Sequence, residues 1–535
     1  MKNVISSFHA IGKTCSPRWK KNAAVSNSLL LPALRRPLMD IIDMLMNNTM
    51  KNLIVPCTDA YNDYLHDESA LYGSASSISF PQTENEVVMI MQALQGKPIT
   101  IQGARTGLSG GCVPEQGHIL NLSHMCHFIG ASYSKEGIPL ITVESGMTLE
   151  NLRKYIRSSF RDNTYFWPVS PSEATATIGG IASTNAEGMN GCHYGPARTH
   201  IEGLHFVDSF GQLHILNRTQ NSHALDAILG SEGIAGPITQ LTLQLQPEPS
   251  AVWGIAMFFP DEKKAAGFGE KIRNLFFNNY TECAKNTGSS GKSWISGLEF
   301  MDRSTLVLLT RRKADLPSIA AVPDIPEFTQ AMIYLEIEGA SDDDIMDILE
   351  RCVQIAEKYD SDPDSSWAFT GPVEVAKLHA FRHAAPEICN IIVQENQRKA
   401  PSITKCASDC SIPSAHFDTL LKIYRDKISA EHIPACVFGH IADCHLHVNF
   451  FPVSEEEYRS ARKILEEWSS LAELHSGNPV KEHGIGKLKQ GIISQSFLTK
   501  QRQKYQTIKQ QFDPDLCINP GDIYQASKEV FHNEQ

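Results

Sequence analysis

Ten residues, His440-Ile-Ala-Asp-Cys-His-Leu-His-Val-Asn449, put three histidines, an aspartate and an asparagine into one short run. Ala435–Phe438 and His445–Phe450 read as two strands separated by a tight turn. Successive strand side chains point to opposite faces, so His445, His447 and Asn449 share one face, and Leu446, Val448 and Phe450 share the other. A polar face on a buried strand needs a partner. A turn at the break can return His440 beside His447. Two neutral imidazoles and a carboxylate make an open site for Zn²⁺, and similar sites hold Mn²⁺ or Fe²⁺. Lys481-Glu-His-Gly-Ile-Gly486 offers the carboxylate, because its glycines let Glu482 and His483 point into a crowded centre. Spacing alone leaves open that these histidines are buried and hydrogen-bonded without a metal.

The elements that hold such a centre belong to a large chain. Its 535 residues exceed one ordinary core and imply two or three domains. Hydrophobic residues at 42% and charged residues at 20% are a globular composition. The formal charge of −12 gives no electrostatic footprint for nucleic acid, nor, over the whole surface, for an anionic membrane. No apolar run approaches the ~18–20 residues that span a bilayer. Thirteen cysteines, an odd number with no CxxC pair, point to reduced thiols in a cytosol-like compartment. They argue against a disulfide framework or a cysteine-bound Fe–S cluster, and Cys406 and Cys410 read as ordinary thiols. Residues 1–36 hold seven Lys/Arg and no acid, which suits either an organellar transit peptide or a disordered tail.

Upstream, Thr83 and Glu86 form a capping box that opens a helix, with Val87, Val88, Met91 and Leu94 on one face and Gly96 at its end. Pro98–Gln102 reads as a strand and runs into a loop from Gly103 to Pro114. Its glycines let successive N–H groups converge on an anion such as a pyrophosphate. The loop is neither a GxGxxG fingerprint nor a Walker A loop. Gly288-Ser-Ser-Gly-Lys-Ser293 fails as a Walker A too, because Asn286 stands where the first glycine belongs. A second cluster from Trp167 to Gly188 is dense in small and hydroxyl residues. A third, Leu229-Gly-Ser-Glu-Gly-Ile-Ala-Gly236, precedes a strand over 239–245.

Together these segments resemble the FAD-binding domain of the vanillyl-alcohol-oxidase/p-cresol-methylhydroxylase (PCMH) flavoprotein superfamily. The pattern is a strand, then G-x-x-T-G-L-S-G-G, A-T-I-G-G-x-x-x-T-N-A-x-G, Y-G-x-x-R and G-S-E-G-x-x-G, and the chain shows all of these in order. The resemblance implies that Gly103, Ala104, Arg105, Thr106, Gly107, Leu108, Ser109 and Gly110 hold the FAD pyrophosphate. It places Pro171, Ser172, Thr177, Gly180, Ser183 and Thr184 along the isoalloxazine and ribityl chain, with Glu232 and Ile238 closing the flavin edge. Thr106 stands where covalently flavinylated members carry a histidine, so non-covalent FAD is expected. Arg105 stands where many relatives have glycine, and Thr199 where they have aspartate.

From Trp253 the texture changes, with Pro247-Glu-Pro249 as a linker. Strands at 255–259, 298–301, 306–309 and 333–338 alternate with helices over 261–277 and from 342 to about 358, predicting an antiparallel sheet with helices on one face. The acid run Asp342–Asp344 reads as a helix N-terminus. Phe381-Arg-His-Ala-Ala-Pro-Glu387 and Lys405-Cys-Ala-Ser-Asp-Cys-Ser-Ile-Pro413 are similar to R-H-x-x-P-E and K-x-x-x-D-x-x-x-P of the FAD-linked oxidase C-terminal domain. G-H-x-G-D-G-N-x-H-x-N, E-H-G-I-G-x-x-K and F-D-P…N-P-G complete the likeness, which covers about residues 70–525. It implies that Arg382 and Lys405 bind a substrate carboxylate, the guanidinium fork matching its two oxygens. His440, His447 and Glu482 become metal ligands, Asn449 a substrate contact and His483 the catalytic base. Asn519 returns to the flavin side, and His445 stands outside the ligand set. Ala442 and Cys444 replace glycines of the pattern, and His445 replaces an asparagine.

The expected fold is α+β: a flexible N-terminal extension over 1–49, a PCMH-type FAD-binding domain of two subdomains over 50–250, a substrate domain with a helix-covered antiparallel sheet over 251–500, and a returning segment over 501–535. The resemblance implies oxidation of a D-2-hydroxy acid, D-lactate-like, to the 2-oxo acid, with hydride passing to flavin N5. A divalent metal assists, zinc ahead of manganese or iron. Electrons leave to a separate quinone, cytochrome or electron-transferring flavoprotein. No nucleic acid and no transmembrane segment are expected, and a homodimer is an option. The location would be cytoplasmic, at a membrane periphery, or mitochondrial if the basic N-terminus is a transit peptide. Two alternatives share the architecture: an alkyl transferase, and a non-catalytic FAD-binding protein.

Overall fold

A computed structural model describes residues 52–160, 164–277 and 292–524; the N-terminal extension and the run from Gly288 to Gly291 lie outside them. The first sheet has the order β1 (Val55–Pro56), β2 (Ser77–Ser79), β4 (His118–Asn121), β3 (Ile99–Gln102), with β2, β4 and β3 parallel. The helix Glu84–Ala93 connects β2 to β3, and Thr83 caps it by accepting from the Glu86 amide at 3.2 Å. The chain's far end joins this sheet: Ile518 bridges Ile99 in parallel, and Asn519 Oδ1 accepts from the Ile101 amide at 2.8 Å.

The second sheet is antiparallel and contains β5 (Phe128–Tyr133), β6 (Pro139–Glu144), β8 (Ile201–Val207), β9 (Leu213–Asn217) and β10 (Ile238–Gln244), in the order β5-β6-β10-β8-β9. β7 (Tyr165–Phe166) pairs with β11 (Gln246–Pro247) beside it.

The third sheet has seven antiparallel strands: β12 (Ala251–Phe259), β13 (Ser293–Asp302), β14 (Ala331–Gly339), β15 (Trp367–Thr370), β16 (Cys406–Ala407), β17 (Ala435–His440) and β18 (His445–Phe450). Their order is β15-β12-β14-β13-β17-β18-β16. On one face Ile255, Phe300, Ile333, Leu335, Val448 and Phe450 pack against the helices Glu262–Phe276, Asp342–Glu357, Phe417–Glu431 and Glu455–Leu474. A fully buried side chain such as Phe300 contributes about 1.5–3 kcal/mol by leaving water.

Two expectations change. The stretch 306–309 is not a strand but part of the helix Arg303–Arg312, because Asp302 accepts from the Thr305 amide at 2.8 Å and caps it. Helices also cover both faces of the third sheet: Arg303–Arg312 and Pro372–Gln397 pack on Phe258, Met301, Met332 and Tyr334 of the second face. The rest of that face carries the acids Glu299, Glu336 and Glu338, all buried. The clean alternation of β14 marks a polar surface facing other protein, not solvent.

Those acids tie the two halves together. Glu336 accepts from Asn190 Nδ2 and Tyr334 Oη, both at 2.6 Å, and from His379; Glu338 accepts from Trp294 Nε1 at 2.9 Å and from the Tyr194 hydroxyl. Burial, with Glu336 beside it, pushes the Glu338 carboxyl up to about 7. A carboxyl raised on folding binds its proton more tightly in the native state. Its contribution is therefore complete below the unfolded value of about 4.3 and is lost as pH rises through about 7. Glu338→Gln should gain stability over the wild type across that interval, by up to roughly 3 kcal/mol. Urea midpoints measured from pH 4 to 8 check this, and a constant offset between the two proteins would contradict it.

Candidate active site at the domain interface

Strand register assembles the centre. Glu299 on β13 lies opposite His440 on β17, while His440 lies opposite His445 of β18 and Phe438 lies opposite His447. Ile441–Cys444 make the turn, closed by the Cys444 amide donating to Ile441 O at 3.0 Å. Cys444 has φ 51°, which explains the glycine of the family pattern at this position. The cysteine side chain is accommodated in the core, its Sγ donating to Ala415 O at 3.4 Å. Ala442 has no positive φ among the described residues, so the turn does not need a glycine there.

The rings of His440, His445 and His447 lie 4.4 to 5.5 Å apart. Glu482 faces all three. Its Oε1 is 3.4 Å from His440 Nε2 and 3.8 Å from His445 Nδ1, and its Oε2 is 3.9 Å from His447 Nε2. One ligand atom from each of the four residues lies within 4.8 Å of the others. Atoms about 2.0–2.2 Å from a shared ion sit roughly 3–4 Å apart, so the donor set fits a divalent cation. The Nδ1 atoms of His445 and His447 are buried without a hydrogen-bond partner, which is costly unless something else satisfies them.

Charge follows the same geometry. Burial works against an imidazolium at His440, yet the carboxylates of Glu299 and Glu482 hold it well above its ordinary value. Burial, with His445 and His483 nearby, holds His447 well below. Burial raises the Glu482 carboxyl, but His440 and His445 outweigh it and keep the group well below the carboxylate range.

Two buried acids that sequence reasoning gave no role orient this centre. Glu299 accepts from His440 Nδ1 and from Arg382 Nε, the latter at 2.6 Å. Asp409 accepts from the amides of Glu482 and His483 at 3.2 and 2.9 Å, from His445 Nε2 at 3.0 Å and from Lys489 Nζ at 2.6 Å. A lone acid inside an apolar strand is the signal that could have found Glu299. Asp409 is the unexplained D of the K-x-x-x-D motif.

Arg382 and Lys405 face the same cavity from the other side. Arg382 uses Nε on Glu299 and stacks its guanidinium over Phe438 at 5.0 Å, which leaves its terminal nitrogens for a ligand. Pro386 lies inside the helix Pro372–Gln397 one turn later and lines the cavity. Lys405 Nζ donates to the neutral Asn390 side chain, and burial pulls its pKa down. A buried ammonium on a neutral partner suits an incoming anion.

The flavin segments and this centre line one cavity of about 310 Å³. Of the residues expected to bind cofactor, Gly110 alone does not line it; its amide donates to Asp67 Oδ2 at 3.1 Å and its φ is 75°. The N–H groups of 104–109 donate to no acceptor among the described residues, leaving a row of backbone donors for a pyrophosphate. Space is open at Gly107, where an added Cβ would meet only Asp67 Oδ2, at 3.6 Å. Arg105 takes φ 62° where relatives have glycine, and its guanidinium lies 4.3 Å over the Tyr64 ring. The donor row and the open cradle fit FAD.

Glu232 does more than line the cavity. Its carboxylate accepts from the amides of Ile485 and Gly486, each at 2.8 Å, and so ties the Glu482-His483 loop to the flavin half. Gly486 must be glycine, because a Cβ would sit 2.4 Å from Ser109 O. Asn519 is likewise a staple as well as a cavity residue, with Nδ2 donating to Glu232 O at 3.1 Å.

Comparison with known proteins bears on the family. The family described as "FAD binding domain" matches residues 75–217, and "FAD linked oxidases, C-terminal domain" matches residues 270–523. The chain is 26% identical over 478 residues to a D-lactate dehydrogenase of Anaerostipes hadrus, covering 86% of this chain and 92% of that one. It is 22% identical over 510 residues to a D-2-hydroxyglutarate dehydrogenase of Stutzerimonas stutzeri, covering 91% and 99%. A solved alkyldihydroxyacetonephosphate synthase shares the fold at TM-score 0.61 and 14% identity, over 90% of this chain and 84% of that one. Among the described residues no helix is long and apolar enough to cross a membrane. The chain belongs to the FAD-linked oxidase family of FAD-dependent oxidoreductases.

Proposed function

We propose that the chain oxidises a D-2-hydroxy acid to the corresponding 2-oxo acid with non-covalent FAD, and that the electrons leave to a separate acceptor. The observation that carries this reading is a single cavity lined by the flavin loops, by Arg382 and Lys405, and by the His440–His447–Glu482 cluster. In this reading Arg382 and Lys405 hold the carboxylate, and Asn449 lies against the substrate. His483, which burial pushes down to about 4, is a neutral imidazole at working pH and takes the hydroxyl proton. The C2 hydrogen leaves with its electron pair as C2=O forms. Bound FAD supplies the acceptor for that hydride. His440, His447 and Glu482 would hold a divalent ion, which would supply a Lewis acid toward the substrate hydroxyl.

The relatives named D-lactate and D-2-hydroxyglutarate dehydrogenase support this class of substrate. The purified protein should be yellow, and anaerobic mixing with D-lactate or D-2-hydroxyglutarate should bleach the flavin while the L-isomers do not. Reduction by L-isomers alone would refute the reading. Alkyl transfer, the second use of this fold, predicts no net bleaching by any hydroxy acid and turnover of an acyl substrate instead.

A further inference from the structure

We infer that His445 is a metal ligand, so that the centre is a three-histidine, one-glutamate site rather than two histidines and a glutamate. The inference rests on the metal reading above and extends it to a residue that the motif leaves out.

Alternation along β18 puts His445 on the same face as His447 and Asn449. Its two ring nitrogens have different surroundings. Nε2 lies 3.0 Å from Asp409 Oδ1, so the carboxylate fixes the proton on that nitrogen. Nδ1 is then a bare lone pair. It is buried with no hydrogen-bond partner, in a residue with 0% exposed side chain, and it lies 3.8 Å from Glu482 Oε1. His440 is arranged in the same way: Nδ1 bonds Glu299, and Nε2 faces the same Glu482 oxygen at 3.4 Å. A carboxylate on the far nitrogen of an imidazole is the usual support of a metal-binding histidine, fixing tautomer and ring orientation. The cluster contains two such carboxylate–histidine pairs, aimed at one point.

An asparagine at 445, as in the family pattern, would present an amide in place of an imidazole lone pair. The substitution therefore changes the number of protein donors from three to four. Four donors close a tetrahedral zinc site. A centre that must also accept a substrate oxygen then needs an ion that takes five or six ligands, which puts Mn²⁺ or Fe²⁺ ahead of Zn²⁺.

The test uses the full chain with FAD bound, stripped of metal by chelation and titrated with Co²⁺ or Mn²⁺ alone. X-ray absorption at the metal edge should count three imidazoles in the wild type and two in His445→Ala and His445→Asn. Affinity for the ion should fall in both variants by more than the ~10–100-fold typical of losing a supporting group. Flavin content and urea midpoint report folding of the variants, and the wild-type imidazole count stands even if neither variant folds. Two imidazoles in the wild type, with affinity unchanged in His445→Ala, would overturn the inference and make His445 a structural prop on Asp409. Failure of the wild type to bind the ion, or a normal affinity in His447→Ala, would overturn the metal reading itself.

Discussion

His483→Ala should retain flavin, metal and substrate binding while flavin reduction by a D-2-hydroxy acid slows by ~10²–10⁴-fold. The expectation of a clean loss rests on how the loop is held. His483 is anchored by its backbone: its amide donates to Asp409 Oδ2 at 2.9 Å, and its carbonyl accepts from Ser109 Oγ at 3.0 Å. Its side chain stacks on His447 with centroids 5.1 Å apart, and its Nδ1 is buried without a hydrogen bond. Truncation therefore removes a proton acceptor without releasing the loop. Stopped-flow reduction measures the rate, and perturbation of the flavin spectrum measures binding. The acid limb gives a second check. Because burial holds the imidazole at about 4, kcat/KM should stay level down to pH 5 and fall only as His483 takes a proton below that. A limb centred near pH 6.5, the value of an unperturbed imidazole, would point to a different group. Unimpaired reduction in His483→Ala would remove the assignment.

The other large effect is expected at Glu299. This carboxylate is wholly buried between the Arg382 guanidinium and His440. Burial raises its pKa, but His440 and Arg382 outweigh burial and hold it below the ordinary range. Glu299→Gln leaves the buried Arg382 guanidinium without its carboxylate, and breaking a buried pair in this way costs about 3–5 kcal/mol. Arg382→Met combined with Glu299→Gln should recover much of that loss without recovering activity, since the proposed carboxylate clamp is gone. Urea midpoints of the two variants, with and without metal, decide the matter. Equal midpoints for Glu299→Gln and wild type would show that the pair contributes nothing to folding. The sign with pH follows from the depressed value. Stability from Glu299 is present above its unfolded pKa of about 4.3 and is lost as pH falls through the lower folded value.

Much of this site is legible in the sequence, for reasons that differ by residue. His440, His447, Glu482 and His483 stand in short runs whose glycines and alternation fix local direction, so their convergence can be argued before any fold is known. The flavin loop is legible for a similar reason, because a row of unpaired N–H groups needs glycine-rich backbone. Glu299 and Asp409 are not legible as site residues. A lone acid in an apolar strand and the D of K-x-x-x-D mark them as unusual, but each reaches the centre through strand register or a crossover contact, so the local pattern does not say what they touch. His445 shows the limit most clearly. Its place on the polar face follows from period two, but its ligand geometry depends on Asp409, 36 residues away in sequence. The helix Arg303–Arg312 is missed because Leu306–Leu309 has the composition of a strand, and only the Asp302 cap reverses that reading. At Arg105 and Cys444, left-handed backbone is tolerated without glycine, so the motif departures alter strain but not topology.

The staple at Asn519 also bears on how the molecule is made. Its bond to the Ile101 amide spans 418 residues, so the first sheet lacks this partner until Asn519 has been made. At translation rates of ~5–20 residues per second, the strand carrying Ile101 waits roughly 20–80 s on the ribosome for that segment to emerge. A prematurely terminated chain would carry most of the flavin fold with an open seam beside β3. Such nascent products would be natural clients for chaperones and early targets for proteolysis.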